Sequence, residues 1–353
     1  MRPDFEGDSE LAVLSYRNVP SLTDGPDLIN LRWTLDERSV LSRDVLATIR
    51  HELRAEQADL AALQRYAVDD PYGEHALSAA VFGYFGLAPD SASVTCGAGV
   101  ASLLHGLAGL AQTAEVAVIG PVYPDFPHWV RQRGGWCVSD ASAGAPALFY
   151  LERPALIGDV FRDLDDVEAL CRRAAACDAL VVVDESNANY CPPAYSAATL
   201  VARHAHLLVL RGMSKAYGLG GLRLAYCLCA PSLVDRVRSV LAPLAVSTLS
   251  LRLAGAVLHL GDIAQPLRRL VRLRKQECAF LIRAADVGEP FPSSEHLPYL
   301  LLDDDFAAAR LESRGVVGKT HPLWTGHPSP PLLRLSVPLE ERRMSRFRAL
   351  LDR

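Results

Sequence analysis

The sequence predicts an α/β protein in which a mostly parallel central sheet lies between helices, followed by a smaller α+β domain. From about residue 43 to 230, short runs of apolar and β-branched residues alternate with stretches of helical periodicity. This alternation is typical of parallel sheets whose strands are buried on both faces. After Pro231 the pattern changes to long helices and then to short strands. We therefore expect a large domain over residues 45–240 and a small domain formed by residues 1–44 and 241–353.

The strands are predicted where apolar runs are short and continuous. The two clearest runs cover residues 181–184 and 207–210, and a helical stretch at 165–176 precedes the first of them. Further strands are expected at 116–119, 147–150, 224–228, 299–302 and 333–337. Residues 320–331 are rich in proline and lack periodicity, which predicts a loop.

The composition disfavours several classes of function. The chain has 353 residues, half of them hydrophobic, and a formal net charge of -5, so a general attraction for nucleic acid is not expected. Its one basic run, residues 268–275, alternates with apolar residues and predicts a solvated helix face. No secretory signal or membrane span is expected, which favours a cytoplasmic protein. Eight cysteines without a C-x-x-C pair predict buried, reduced thiols and no metal site.

One of the three lysines lies in a segment suited to chemistry. Lys215 follows a predicted strand directly, within the glycine-rich segment 211–223. A lysine in such a loop is positioned either for phosphate contact or for imine formation. In a nucleotide P-loop the glycines precede the lysine, whereas three of the four glycines here follow it. Nucleotide binding is therefore disfavoured.

Ser214-Lys215, with an arginine eight residues later, resembles the lysine loop of fold-type I pyridoxal-phosphate-dependent aminotransferases, particularly the histidinol-phosphate aminotransferase-like group. The resemblance spans roughly residues 27 to 350. It implies pyridoxal 5'-phosphate as cofactor, and Lys215 as the lysine that holds it as a Schiff base and removes the α-proton of an L-amino acid. It also implies that Asp184 meets the pyridine nitrogen. A carboxylate there keeps this nitrogen protonated, so that the ring can accept electrons from the substrate.

The resemblance also implies a phosphate site. The turn Ala98-Gly99-Val100 lies at the start of a predicted helix, where backbone amides suit a phosphate dianion. Ser214 and Arg223 match further phosphate contacts of the family. Glycine turns between strands and helices are common for geometric reasons, so this turn is informative only together with the other motifs.

Three more residues match the family pattern in the expected order. Tyr123 would stack on the cofactor ring, with a packing tyrosine in a turn as the alternative. Arg334 would hold the substrate α-carboxylate by a planar two-point contact. Tyr66 matches the loop tyrosine that reaches the cofactor phosphate of a second subunit, which implies a homodimer with shared active sites.

Three positions depart from the family pattern. The segment 151–158 lacks the asparagine that contacts the cofactor's phenolic oxygen, and Asn187 stands where the family has a tyrosine. In one interpretation Asn187 or Asn189 supplies a replacement donor. In another, Arg153 brings a positive charge to the same corner or reaches the substrate side chain. Gly212 replaces a hydroxyl residue that contacts the phosphate in many relatives.

The leading functional hypothesis is an aminotransferase of amino-acid metabolism or biosynthesis. The departures leave open a second hypothesis, in which the same fold catalyses decarboxylation, elimination, cyclisation or oxidation in secondary metabolism. A cofactor-sensing regulator is disfavoured, because the resemblance begins near residue 27 and leaves little chain for a DNA-binding domain. The segment with Lys319, His321 and Trp324 forms pocket walls in one interpretation and a solvated loop in the other.

Overall fold

The computed structural model describes residues 23–34, 36–54, 64, 66–158, 163–327 and 329–352. The strands are β1 (Ile29–Asn30), β2 (Ser93–Gly97), β3 (Glu115–Ile119), β4 (Trp136–Ser139), β5 (Leu148–Glu152), β6 (Leu180–Asp184), β7 (Leu207–Gly212), β8 (Ala225–Cys229), β9 (Tyr299–Asp303), β10 (Val316–Val317), β11 (Lys319–His321) and β12 (Leu332–Ser336). The α-helices are α1 (Glu37–Arg54), α2 (Glu74–Phe85), α3 (Val100–Leu107), α4 (Asp125–Gln132), α5 (Leu164–Ala176), α6 (Val234–Arg238), α7 (Thr248–His259), α8 (Gln265–Ala284), α9 (Asp304–Glu312) and α10 (Glu341–Leu351). In the parts of the chain given above, no helix is long and apolar enough to cross a bilayer.

The central sheet has seven strands in the order β2-β8-β7-β6-β5-β3-β4. Strand β8 runs antiparallel to both of its neighbours, and the other six strands are parallel to one another. The predicted α/β fold with a mostly parallel sheet is confirmed. Because the parallel strands end at the same edge of the sheet, the loops that follow them converge there, and this edge is where ligands bind in open α/β sheets.

The central strands bury side chains on both faces. In β6, Val181 and Val183 pack into one hydrophobic core, which includes residues of α2, α5 and α7. Leu180 and Val182 point the other way, into a second core with residues of α3, α4 and α6. Residues 180–183 are therefore all in an apolar environment, which explains why the sequence shows a continuous apolar run there instead of alternation.

The C-terminal part of the chain builds a separate antiparallel sheet in the order β11-β12-β9. Nearby, β1 pairs in parallel with β10, and the amide of Ser336 donates to the carbonyl oxygen of Leu31 at 2.8 Å. The N-terminal segment thus contacts the C-terminal part directly. The division into domains at residues 45 and 241 stays a prediction.

Two predictions about individual segments are wrong in part. Thr320 and His321 of the predicted loop 320–331 belong to β11, because they pair with β12, whereas the described residues after them lie outside strands and helices apart from a bridge at Trp324. The predicted solvated face of residues 268–275 includes Lys275, which is buried in α8. Its ammonium group donates to Ser293 Oγ at 2.8 Å and to the carbonyl oxygen of Ser294 at 2.6 Å, so the cation is stabilised by a neighbouring loop.

The cysteines follow the prediction of buried, reduced thiols. All eight are free and six of them are buried. Cys227 and Cys229 lie two residues apart in β8, and both point into the second core. Burial raises the pKa of both thiols, to about 12 for Cys229, which makes these groups poor nucleophiles at neutral pH.

Candidate active site

A cavity of about 330 Å³ lies where β3, β5, β6 and β7 end, and residues of β11 and β12 form its opposite wall. Of the predicted site residues, the cavity is lined by Val100, Tyr123, Asp184, Asn187, Ser214, Lys215, Arg223 and Arg334. Its other ionisable or hydroxyl-bearing lining residues are Asp125, Tyr150, Glu152, Ser186, Tyr299, Lys319 and His321. Most of the predicted residues are therefore brought together in one place, although they are spread over more than 230 positions of the sequence.

Lys215 follows β7 in a loop whose backbone is held by a buried polar network. The side-chain amide of Asn189 donates to the carbonyl oxygens of Gly212, at 2.5 Å, and of Lys215, at 3.2 Å. Arg211 in turn donates to Asn189 Oδ1 at 2.6 Å and pairs with Glu185 at 3.2 Å. The network fixes the backbone at Lys215 while its side chain extends into the cavity.

Asp184 ends β6 and is buried at the base of the cavity. Its carboxylate accepts hydrogen bonds from the amide of Ser186 at 2.8 Å and from the hydroxyl of Tyr150 at 3.2 Å. Burial raises the pKa of Asp184, and the hydrogen bonds oppose this shift. A cation in the cavity would stabilise the charged carboxylate, as the predicted contact with a protonated ring nitrogen requires.

The predicted phosphate-binding turn lies at the start of α3. Arg223 donates to the carbonyl oxygens of Ala98 and Gly220, at 3.3 and 3.2 Å, which holds its guanidinium beside the turn. Gly99 has a φ of 90°, and a Cβ atom there would lie 2.6 Å from Arg223 Nη2. Glycine is therefore required at this position. Val100 lines the cavity, whereas Ala98 and Gly99, which were also predicted, are not among its lining residues.

Gly212 is explained by close packing. A Cβ atom on this residue would lie 2.9 Å from Cγ2 of Val100, so a larger residue would require the Val100 side chain or its surroundings to move. Ser214 and Arg223 both line the cavity, so two of the predicted side-chain contacts to a phosphate are available without it.

Tyr123 follows β3 and connects two walls of the cavity. Its backbone amide donates to Glu152 Oε1 at 2.8 Å. Its ring lies 5.4 Å from the imidazole of His321, at an angle of 36°. His321 is buried, and neither of its ring nitrogens has a hydrogen-bond partner among the described residues. Burial, together with the charge of Arg334, lowers the pKa of His321 well below its usual value, so the imidazole is neutral.

Arg334 lies on β12 and is buried on the wall opposite Lys215. Its guanidinium donates to the carbonyl oxygen of Arg32 at 2.9 Å and lies 4.7 Å from the centre of the Tyr299 ring. Lys319 is the register partner of Arg334 on β11, and its ammonium lies 4.8 Å from the Trp33 ring. Burial and the charge of Arg334 lower the pKa of Lys319 to about 8. Two cations on one wall make this part of the cavity suited to an anionic ligand.

Three residues were considered as replacements for the asparagine missing from segment 151–158, and the structure places only one of them in the cavity lining. Asn189 and Arg153 are buried outside the cavity lining, and Arg153 pairs with Glu185 at 3.2 Å and stacks on the Tyr195 ring at 3.6 Å. Only Asn187 of the three lines the cavity, with its Oδ1 atom lacking a partner among the described residues.

Glu152 lines the cavity and was not among the predicted site residues. Burial raises its pKa to about 8, with a further contribution from Asp184. The predicted strand ended at Tyr150, whereas β5 continues to Glu152 and brings this residue into register with Asp184. The sequence offered one signal for this residue: Glu152 follows an apolar run just as Asp184 does, so both could be expected at the same edge of the sheet.

Tyr66 lies outside this cavity. Its side chain is 82% exposed, and the loop around it borders a second cavity of about 250 Å³ together with Tyr72 and Leu251. Its contact with a second subunit stays a prediction.

The lining suits a flat, phosphorylated ring that carries a cationic nitrogen and a carbonyl carbon. The α3 amino terminus and Arg223 are complementary to the phosphate, Asp184 to the nitrogen, and Lys215 to the carbonyl carbon. The unsatisfied Oδ1 atom of Asn187 and the pKa of Glu152, which burial and then the charge of Asp184 raise, also indicate that the cavity is shaped for a polar ligand. The residues present therefore fit the cofactor that the sequence predicts.

Sequence comparison identifies relatives of part of the chain. Residues 157–300 match the family model of aminotransferase class I and II. A histidinol-phosphate aminotransferase of Shewanella amazonensis is 33% identical over 154 residues, which are 41% of this chain and 42% of the relative. That of Methylibium petroleiphilum is 30% identical over 210 residues, 58% of this chain and 54% of the relative. The chain thus spans about half or less of the length of these relatives.

Solved structures share the fold over almost the whole chain. The histidinol-phosphate aminotransferase of Clostridium acetobutylicum has a TM-score of 0.75 at 13% identity and covers 92% of this chain and 98% of its own. The L-threonine-O-3-phosphate decarboxylase of Porphyromonas gingivalis has a TM-score of 0.70 at 16% identity, with the same coverage. Proteins with different named activities therefore share this fold, and the fold alone does not select the reaction.

Proposed function

We propose that the chain is a fold-type I, pyridoxal-phosphate-dependent aminotransferase related to the class I and II aminotransferases and acting on an L-amino acid. The observation that carries this proposal is that Lys215, Asp184 and Arg334 line a single cavity. Each supplies a different function: an amine, a buried carboxylate and a guanidinium. The matching sequence relatives are aminotransferases, which favours transamination over the decarboxylation, elimination and oxidation considered from the sequence.

The residues that would hold the cofactor lie around its expected outline. Lys215 would bind it covalently, Asp184 would pair with its ring nitrogen, and Tyr123 would cover one ring face. Its phosphate would be bound by the amides of Ala98-Gly99-Val100 and by Ser214 and Arg223, and Asn187 would contact the ring edge. When bound, pyridoxal phosphate supplies an aldehyde carbon for amine exchange and a ring that accepts the electron pair left at the substrate α-carbon.

The side chains of this protein then position the substrate and move the proton. With pyridoxal phosphate bound, the free amine Nζ of Lys215 would be the base that takes the proton from the substrate α-carbon and delivers it to the former aldehyde carbon. Arg334 binds the α-carboxylate by a two-point contact and so orients the α-carbon bonds relative to the ring. Asp184 remains charged and keeps the ring nitrogen protonated. Removal of this carboxylate would weaken electron withdrawal without changing the position of Lys215.

The two-cation wall supports a substrate with a second negative group. Lys319 lies beside Arg334 in register, so one cation is available for the α-carboxylate and the other for the side chain. The sequence relatives are named for histidinol phosphate, which has a phosphate but no α-carboxylate. Turnover should therefore be measured with acidic, neutral and basic L-amino acids and with histidinol phosphate.

The test uses the protein loaded with pyridoxal phosphate. Borohydride reduction followed by peptide mass spectrometry should place the cofactor on the peptide with Lys215. The Lys215→Ala variant should lose this modification and all amino transfer, whereas Lys319→Ala should keep the modification. Formation of a 2-oxo acid with amino transfer to an acceptor supports the proposal. Carbon dioxide, ammonia or peroxide as the main product would contradict it.

Tyr66 supports a second part of the proposal, a homodimer with shared active sites. Because its side chain is exposed, it is available to another copy of the chain. Val68, which is 74% exposed, is available in the same way. Mixing inactive Lys215→Ala and Tyr66→Ala subunits should restore activity, because a hybrid dimer contains one site with neither change. Random mixing predicts about one quarter of wild-type activity. No recovery from dimers that demonstrably exchange subunits would contradict shared sites.

The proposed location is the cytoplasm, where the eight free thiols would stay reduced. Cell fractionation with an antibody to the chain tests this directly. Recovery in an oxidising compartment would contradict it.

A further inference from the structure

Two buried carboxyl groups lie at the ends of neighbouring strands in the cavity. Glu152 ends β5 and Asp184 ends β6, and the two residues are register partners in the parallel pair. Side chains of paired residues in parallel strands point to the same face, and neighbouring strands are about 4.8 Å apart. Both carboxyl groups line the cavity. Asp184 has a role in the chemistry described above, and Glu152 has none.

The strand order indicates which part of the cofactor Glu152 faces. The pyridoxal ring has two edges on either side of the line that joins its nitrogen and its aldehyde carbon. One edge carries the phosphate arm and the other carries the phenolic oxygen. In the sheet, Val100 follows β2, Arg223 precedes β8 and Ser214 follows β7, so the phosphate contacts all lie on one side of Asp184. Glu152 lies on the other side, and the edge that remains for it carries the phenolic oxygen.

We propose that Glu152 is a positioning residue of the cofactor site, which donates a hydrogen bond from its protonated carboxyl group to the phenolic oxygen. It would take the place of the amide that is absent from segment 151–158. This inference rests on the proposed function, since it requires pyridoxal phosphate in the cavity. The proposal requires Glu152 to be protonated, because a charged carboxylate can only accept hydrogen bonds.

The surroundings of Glu152 favour the protonated form. Its Oε1 atom accepts the amide of Tyr123, and the carboxyl group also has a hydrogen bond with Tyr150. The proposal therefore places the proton on Oε2. The groups that face it are Asp184 on β6, Tyr150 on β5 and Asp125 on α4. Burial first, and then the charge of Asp184, raise the pKa of Glu152 to about 8, while the amide of Tyr123 lowers it by less. Below that pH the carboxyl group is neutral and holds one donor.

Two of the competing donors are occupied elsewhere. The side-chain nitrogen of Asn189 bonds to two backbone carbonyl oxygens, and Arg153 is packed between Glu185 and Tyr195. Asn187 also lines the cavity, but it follows the end of β6, whereas Glu152 lies on β5, on the side of Asp184 away from the phosphate contacts. The other polar side chain of β5 in the lining, Tyr150, donates its hydroxyl to Asp184.

The test compares wild type, Glu152→Gln and Glu152→Leu, each loaded with pyridoxal phosphate. The visible absorption band of the bound cofactor is recorded against pH, because it reports the proton shared between the Lys215 nitrogen and the phenolic oxygen. A donor at that oxygen weakens its hold on this proton. Glu152→Gln keeps a donor at every pH, so the midpoint of its spectral titration should lie at or below the midpoint of wild type. Glu152→Leu should titrate about one pH unit or more above Glu152→Gln, a tenfold change in the proton equilibrium.

The outcomes separate this inference from the proposed function. If wild type forms no visible band with pyridoxal phosphate, the proposed function fails and the inference fails with it. If wild type forms the band and both variants titrate at the wild-type pH, only the role of Glu152 is overturned. If Glu152→Leu does not fold, Glu152→Gln decides, because it must remove an ionisation near pH 8 from the wild-type titration, and persistence of that ionisation overturns the inference. Glu115→Gln, at the opposite end of a neighbouring strand, is the control and should leave the band unchanged.

Discussion

Replacing Glu185 by glutamine tests the buried network that holds the lysine loop. Glu185 is fully buried, and its two carboxylate oxygens lie 3.2 Å from Arg153 Nη1 and 3.2 Å from Arg211 Nη1. They also accept the Ser196 hydroxyl and the amide of Ala197. Every group that faces the carboxylate is a donor, so a glutamine NH₂ group would point at a donor in either orientation. Two guanidinium charges would remain in the core without the anion between them.

Removal of one partner from a buried ion pair costs about 3–5 kcal/mol in free energy of unfolding. With a denaturant dependence of roughly 3 kcal/mol per M in urea, the unfolding midpoint should fall by about 1–2 M. The measurement is urea unfolding of the cofactor-free variant, followed by tryptophan fluorescence. Glu289→Gln is the control, since the Glu289–Arg283 pair lies on the surface and should leave the midpoint unchanged. A Glu185→Gln midpoint within error of wild type would refute the network as a source of stability.

Three further predictions address the phosphate turn, a buried acid and the substrate wall. Gly99→Ala places a Cβ atom 2.6 Å from Arg223 Nη2 at a φ of 90°, so affinity for pyridoxal phosphate should fall about tenfold or more by equilibrium dialysis. Gly221→Ala, with no atom within 4 Å of the added Cβ, should bind as wild type does. Burial raises the pKa of Glu37 to about 7, so the folded protein holds this proton more tightly and stability falls as pH rises from about 4.5 to 7. Glu37→Gln should therefore stabilise the protein at pH 8 by on the order of 2–3 kcal/mol and have little effect at pH 4, and equal effects at both would contradict this. Burial lowers the pKa of Lys319 to about 8, so KM for an acidic substrate should rise as pH increases through 8, and Lys319→Met should abolish that pH dependence.

The strands of the central sheet were predictable because their environment is uniform. Leu180 to Val183 are buried on both faces, so the apolar run itself marks the strand. The lysine loop was also predictable, since Ser214, Lys215 and Arg223 belong to one short segment and all three line the cavity. In each of these cases neighbouring positions in the sequence determine the environment of the residue.

Other residues depend on partners that are distant in the sequence. Lys275 lies in an amphipathic basic run, and its burial is stabilised by hydrogen bonds to Ser293 and Ser294, which the sequence pattern does not reveal. His321 belongs to a strand because β12 lies beside it, and its own proline-rich neighbours give no strand signal. The position of Arg153 in the chain predicted a place beside the cofactor. In the structure its guanidinium instead pairs with Glu185, in the buried network that holds the lysine loop. Ion pairing and strand pairing between distant segments are therefore what the sequence left open.

The antiparallel strand β8 has a consequence for how the site forms. Because β8 returns beside β7, with Gly212 opposite Ala225, both ends of the segment that carries Lys215 are fastened to the same hairpin. The chain entropy of closing this loop is lost during folding, so ligand binding does not carry this entropic cost a second time. The reactive amine should thus be preorganised in the empty protein. Amide hydrogen exchange in residues 213–224 should change little when the cofactor binds, and the ligand should enter a site that is already assembled.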